Sequence, residues 1–126
     1  MLGARDSIAT VAVKNLEEAR VYYEEKLGLE VARELPEGVT YRTGRTTLLV
    51  YVSRFAGTNQ ATRVTWAIDD VERAAQELRA RGVTFEHYDL PGTTVGDDVH
   101  VEGDRKAVWF KDPDGNILSL VNEPME

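Results

Sequence analysis

The sequence predicts an α+β fold of two tandem βαβββ modules, and three observations carry that expectation. The stretch IATVAVKNLEEARVYYEEKLGLEV at residues 8–31 shares its pattern with RVTWAIDDVERAAQELRARGVTF at 63–85. Both copies pass from an alternating strand through an Asn or Asp into an amphipathic helix, and both close on a glycine. Three strand-like runs then follow each copy. A period of about 55 residues, occurring twice, describes a duplicated unit; a solenoid needs at least about three copies.

The first strand alternates from Ile8 to Val13, with Ala9, Val11 and Val13 on its apolar side. In the first helix Leu16, Ala19, Tyr23 and Leu27 form one stripe, with Glu17, Glu24 and Glu25 outside it. Asn15 suits its N-cap, with Glu18 at the third helical position. Gly28 suits the left-handed residue that ends it. Strands are expected over 29–34, 38–43 and 46–53. In the second copy Val71, Ala74, Ala75 and Leu78 form the helical stripe. Asp69 or Asp70 caps it, and Gly82 ends it. Strands are expected over 83–89, 105–111 and 116–122, with Asp112-Pro113-Asp114-Gly115 as the last hairpin turn. DLPGTTVGDDVHVEGD at 89–104 reads as the longest irregular stretch and the most mobile element.

The 126 residues suit a single domain with a hydrophobic core, module one at about 7–53 and module two at about 62–122. An apolar content of 42% and a charged content of 29% are those of a globular protein. The net charge of −7 argues against nucleic acid as a partner. No run of about 18 apolar residues points to a membrane. Residues 1–6 lack the apolar core of a signal peptide, so the expected location is cytoplasmic. With no cysteine, disulfides, thiolate metal sites and a cysteine nucleophile are excluded.

The early V-x-N-L-E-E-A-R-x-Y-Y-x-x-x-L-G-L-E-V and the late W-F-K-D-P-D-G-N-I-L-S-L resemble the vicinal oxygen chelate superfamily. That group includes glyoxalase I, extradiol dioxygenases and bleomycin-resistance proteins. Within it the chain is most similar to a bacterial glyoxalase-like subfamily, over about residues 7–122. The resemblance implies an eight-stranded mixed sheet curled around a cleft, helices on its outer face, commonly completed as a homodimer. It also implies a divalent metal held by His, Gln or Glu from equivalent strands, acting as a Lewis acid. Carried onto this sequence, those ligand positions are Ile8, Leu49, Arg63 and Ser119, the last where metal-bearing relatives place a glutamate. Two aliphatics, a permanent cation and a neutral hydroxyl do not form a metal donor set. No metal and no cofactor are therefore expected. His87 and His100 lack HxH or HxxxH spacing and read as surface residues.

Strand parity assigns the other side chains without help from the family. If the helices pack on the apolar side, the cleft receives Ile8, Thr10 and Ala12, then Thr47, Leu49, Tyr51 and Ser53. The second module adds Arg63, Thr65, Ala67, Glu86, Tyr88, Ile117, Ser119 and Val121. Trp109 joins them if Val108 and Phe110 are the packing pair, while Trp66 falls in the core. The candidate ligand-binding residues are Arg63, Tyr51, Ser53, Thr65, Glu86, Tyr88, Trp109 and Ser119. Arg63 either anchors a ligand carboxylate or phosphate or pairs with Glu86 or a partner chain. Tyr51 and Tyr88 either stack on a ligand or fill the barrel. The acidic loop residues Asp97, Asp98 and Glu102 read as a solvated run.

Three functions fit this reading. The first is a metal-free protein binding a small organic ligand in a dimeric cleft. The second is a lyase- or isomerase-like enzyme with Glu86 as general base and Arg63 stabilising a developing enolate. Glyoxalase I and extradiol dioxygenase chemistry are not expected, since each needs the missing metal. The third is a degenerate module serving dimerisation or interaction.

Overall fold

The computed structural model describes residues 1–122. After a 3-10 turn at Leu2–Ala4, module one comprises β1 (Ala9–Val13), α1 (Leu16–Arg20), a π-helical turn (Val21–Lys26), β2 (Val31–Leu35), β3 (Gly38–Thr43) and β4 (Thr46–Val52). Module two comprises β5 (Thr62–Ile68), α2 (Val71–Ala80), β6 (Phe85–Glu86) and an inserted pair, β7 (Thr94–Gly96) and β8 (Val99–Glu102). It ends with β9 (Arg105–Lys111) and β10 (Ile117–Asn122). The first sheet has the order β1-β4-β3-β2, and β5-β10-β9-β6 repeats it in the second. In both, the first and last strands of the module run parallel and the other pairs antiparallel. The duplication in the sequence is thus a duplication of topology.

Two expectations are corrected. The strands form a four-stranded and a six-stranded sheet rather than one sheet of eight. β1 and β5 pack side by side at the seam without forming a ladder. The 89–104 stretch is not irregular: it contains the β7–β8 hairpin. The free edge of β9 has two halves, β6 pairing with Phe110 and Trp109 while β8 pairs with Ala107, Lys106 and Arg105. β6 is consequently only two residues long, where a strand over 83–89 was expected.

Both helices cover the apolar side of the strands. Asn15 accepts from the Glu18 N–H at 3.0 Å and Asp70 from the Arg73 N–H at 3.0 Å, so Asp70, not Asp69, is the second cap. Ala19, Tyr23, Val71 and Ala75 are buried, as the stripes require. Tyr22 is buried as well, which a 3.6-residue period does not anticipate. The helix widens after Arg20, and Leu27 N–H bonds the Tyr22 carbonyl five residues back. The wider turn lets Tyr22 and Tyr23 both face inward, their rings edge to face at 5.6 Å. One buried cluster runs from Val11, Val13 and Val50 in module one to Val64, Phe110 and Leu118 in module two.

The Asp112–Asn116 turn clamps the modules together. Asp112 Oδ1 accepts the Asp114 and Asn116 N–H groups, and Oδ2 accepts the Tyr23 hydroxyl and the Asn116 amide. Tyr22 donates to the Lys111 carbonyl, and Asn116 Nδ2 donates to the Ala12 carbonyl. Burial pushes the Asp112 carboxyl up, and its hydrogen bonds from Asn116 and Tyr23 pull it back down.

Candidate functional site

The side of the second sheet away from the helices carries a row set by register. Thr65, Ser119, Trp109 and Glu86 stand next to one another across β5, β10, β9 and β6. Burial follows the expected parity except at Ser119, which is buried: Val64, Leu118, Leu120, Val108 and Phe110 are buried on the helix side, while Thr65 is exposed and Trp109 and Glu86 are half-buried. In the first sheet Tyr51 is exposed, and Leu49 and Ser53 are half-buried. Ser53 holds the following turn by accepting the Phe55 N–H.

The hairpin adds a residue that the sequence reading left on the surface. His100 pairs with Ala107, one row along from Trp109, and is only 2% exposed. Its ring meets the Trp109 ring edge to face at 4.8 Å, and Tyr88 closes on Trp109 at 5.4 Å. The Tyr88 N–H points at His100 Nε2, 2.9 Å away. A backbone N–H can only donate, so Nε2 is the acceptor and the neutral ring carries its proton on Nδ1. That Nδ1–H and the Tyr88 hydroxyl are both buried without a protein partner. Burial, and next the nearby Glu86 charge, hold the phenol above its ordinary range, so it remains an O–H donor at neutral pH. Tyr88, His100 and Trp109 therefore form an aromatic cluster with two unspent polar atoms.

The charged residues do not pair as one expectation had it. Glu86 faces Lys111, 3.6 Å away, and not Arg63. Arg63 is the extra residue where β5 and β10 slip register between Ile117 and Leu118. Such a bulge re-aims a side chain, and Arg63 Nη2 reaches across the seam to the Thr10 carbonyl at 2.7 Å. Ser119 is 2% exposed, and its hydroxyl donates to the Val108 carbonyl at 3.0 Å. The acidic run is not simply solvated either. Asp98 takes two bonds from Arg79 of α2 and lies 2.6 Å from His87 Nε2. Those partners, His87 first, hold its carboxyl below the ordinary range.

The positions that correspond to metal ligands in the resembled family do not fit a metal. Ile8 and Leu49 have no donor atom, Arg63 brings a fixed positive charge, and the Ser119 hydroxyl is already committed. Among the described residues no three His, Cys, Asp or Glu side chains converge.

Two βαβββ modules meeting at a β1–β5 seam, with both helices on one side of the strands, define a duplicated class of α+β protein. The chain belongs to the Glyoxalase/Bleomycin resistance protein/Dioxygenase superfamily, whose profile matches residues 6–120. It is similar to the glyoxalase family protein of Enterococcus faecalis at 22% identity and TM-score 0.72, covering 96% of this chain and 99% of that one. For lactoylglutathione lyase from Agrobacterium tumefaciens the values are 20% and 0.70, with 95% and 94% covered. For a genomically encoded fosfomycin resistance protein from Listeria monocytogenes they are 14% and 0.71, with 96% and 94% covered. These identities establish the shared fold alone. No curated protein matches the sequence significantly.

Proposed function

We propose that this protein binds a small organic molecule without a metal, at the aromatic cluster of Tyr88, His100 and Trp109 on the open sheet face. The observation that carries the reading is the pair of buried, unpartnered atoms, His100 Nδ1 and the Tyr88 hydroxyl, beside an indole ring. A buried donor without a partner costs about 1–3 kcal/mol, a cost that a ligand oxygen removes. Aromatic walls with a few fixed polar groups suit a flat, partly polar molecule. Ile8, Leu49, Arg63 and Ser119 support the metal-free part of the reading, because they offer no donor set.

The enzyme alternative, with Glu86 as base and Arg63 as enolate stabiliser, is the second reading; in the resting structure Glu86 faces Lys111 and Arg63 bonds the Thr10 carbonyl. Exposed Ile8 and Tyr51 in the first module, and Phe55 just after it, favour a second copy as the cover of the open face. A thermal-shift screen of aromatic carboxylates, phenols and amides tests the proposal. The expected outcome is stabilisation that EDTA leaves unchanged and Trp109→Phe weakens. Stabilisation that EDTA abolishes overturns the metal-free reading.

A further inference from the structure

A recess lies on the opposite side of the sheets, between the end of the first helix and α2. Its volume is 360 Å³, within the range of about 300–1,000 Å³ that ligand pockets occupy. Trp66, Phe110 and Leu120 form its sheet side; Leu27 and Leu29 come from module one and Leu78 from α2. It therefore joins the two modules, and none of the open-face candidates lines it.

Its charged lining is unequal. Glu77 is already within 3.5 Å of Arg73, its neighbour one turn earlier on α2. Arg81 has no ion-pair partner among the described residues, and its guanidinium lies over Gly28, where a Cβ would collide with it. Gly28, with φ of +71°, both ends the helix and makes room for that cation. Arg81 is thus the one cation among the described residues that line this apolar recess, and it stands out in a chain of net charge −7.

We propose that this recess is a second binding site, distinct from the open-face site, and that it takes an amphiphilic organic anion. The apolar body lies against Trp66 and Leu78, and the acidic head meets Arg81, whose planar fork suits carboxylate, sulfonate or phosphate oxygens. Because residues of both modules line it, an occupant ties the modules together and raises stability by mass action.

The two tryptophans separate this site from the other one, since Trp66 lines this recess and Trp109 the open face. The probes are anilinonaphthalene sulfonate and its uncharged analogue, phenylnaphthylamine. The sulfonate is expected to bind saturably, with an affinity that Trp109→Phe leaves within about twofold and Trp66→Phe clearly weakens. Arg81→Glu, an exposed substitution that leaves the core intact, is expected to weaken the sulfonate about tenfold or more while the uncharged probe changes less than about twofold. Sulfonate affinity that falls in Trp109→Phe but not in Trp66→Phe, or that is unchanged in Arg81→Glu, overturns the proposal.

Discussion

The Tyr23 hydroxyl donates to Asp112 Oδ2 at 2.8 Å, joining residues 89 positions apart in sequence. With Tyr22 bonded to the Lys111 carbonyl and Asn116 to the Ala12 carbonyl, this contact makes the last hairpin turn the fastening between the modules.

Tyr23→Phe removes one of the donors serving a buried carboxylate and is expected to cost about 2 kcal/mol, as hydrogen bonds to charged groups do. Urea unfolding at pH 7 measures it. Burial raises the folded Asp112 carboxyl above its ordinary value, so this group's own contribution is largest in acid and is lost as pH rises through the folded value. The Tyr23 bond pulls the other way because it favours the ionised form. The difference between wild type and Tyr23→Phe is therefore expected to shrink as the pH falls and Asp112 takes up its proton. A difference that grows in acid contradicts this assignment.

Much of this architecture was legible because strand and helix periods are local. Parity placed Glu86 and Ser119 on the open face, and Trp109 with them on the condition that Val108 and Phe110 pack; the duplicated caps placed both helices. Tyr22 was not legible, since a π-helical turn breaks the 3.6 period and nothing in VYYEEK announces it. His100 was missed because its burial depends on the free edge of β9, a long-range fact. A signal was present nonetheless: Val95, Val99 and Val101 alternate around an Asp-Asp pair, the pattern of a two-residue hairpin. Asp97 and Asp98 indeed have φ of +50° and +71°. The pairing of Glu86 with Lys111 was hidden for another reason, since parity fixes a face but not which charges on it meet.

The hairpin is held to α2 by Arg79 on Asp98, and this attachment is expected to fail in acid. The folded Asp98 carboxyl is lowered, so its stability contribution is present above the ordinary Asp range and is lost as pH falls through the folded value. Asp98→Asn is expected to cost about 0.5–1 kcal/mol at neutral pH, the scale of a partly exposed ion pair. The two proteins should converge only below the ordinary Asp range, once the lowered carboxyl takes up its proton. Hydrogen exchange at the Val99 and Val101 amides localises the effect; equal exchange in both proteins at neutral pH would count against it.

The tautomer of His100 is testable without any ligand. Nitrogen-15 spectra of the imidazole should show Nε2 unprotonated and Nδ1 protonated at neutral pH, because the Tyr88 N–H occupies Nε2. His100→Phe keeps an aromatic wall but strands that N–H, at an expected cost of about 1–3 kcal/mol. A proton found on Nε2 would remove the donor on which the proposed ligand contact rests.

Ser119→Glu tests whether the open face is one substitution away from holding a metal. Ser119 is buried between Thr65 and Trp109 in the register, and its hydroxyl is satisfied by Val108. A glutamate there would supply one oxygen ligand and displace that bond, while Ile8 and Leu49 would still offer none and Arg63 would still present a cation. Divalent ions need several converging donors, and one carboxylate in water binds them weakly. The variant is therefore expected to bind zinc or manganese no more tightly than wild type in calorimetry, and to lose about 1–3 kcal/mol of stability from the buried charge. Stoichiometric, tight uptake would mean that donors other than these four residues converge on the site, and would return the protein to the metal-dependent chemistry its donor set argues against.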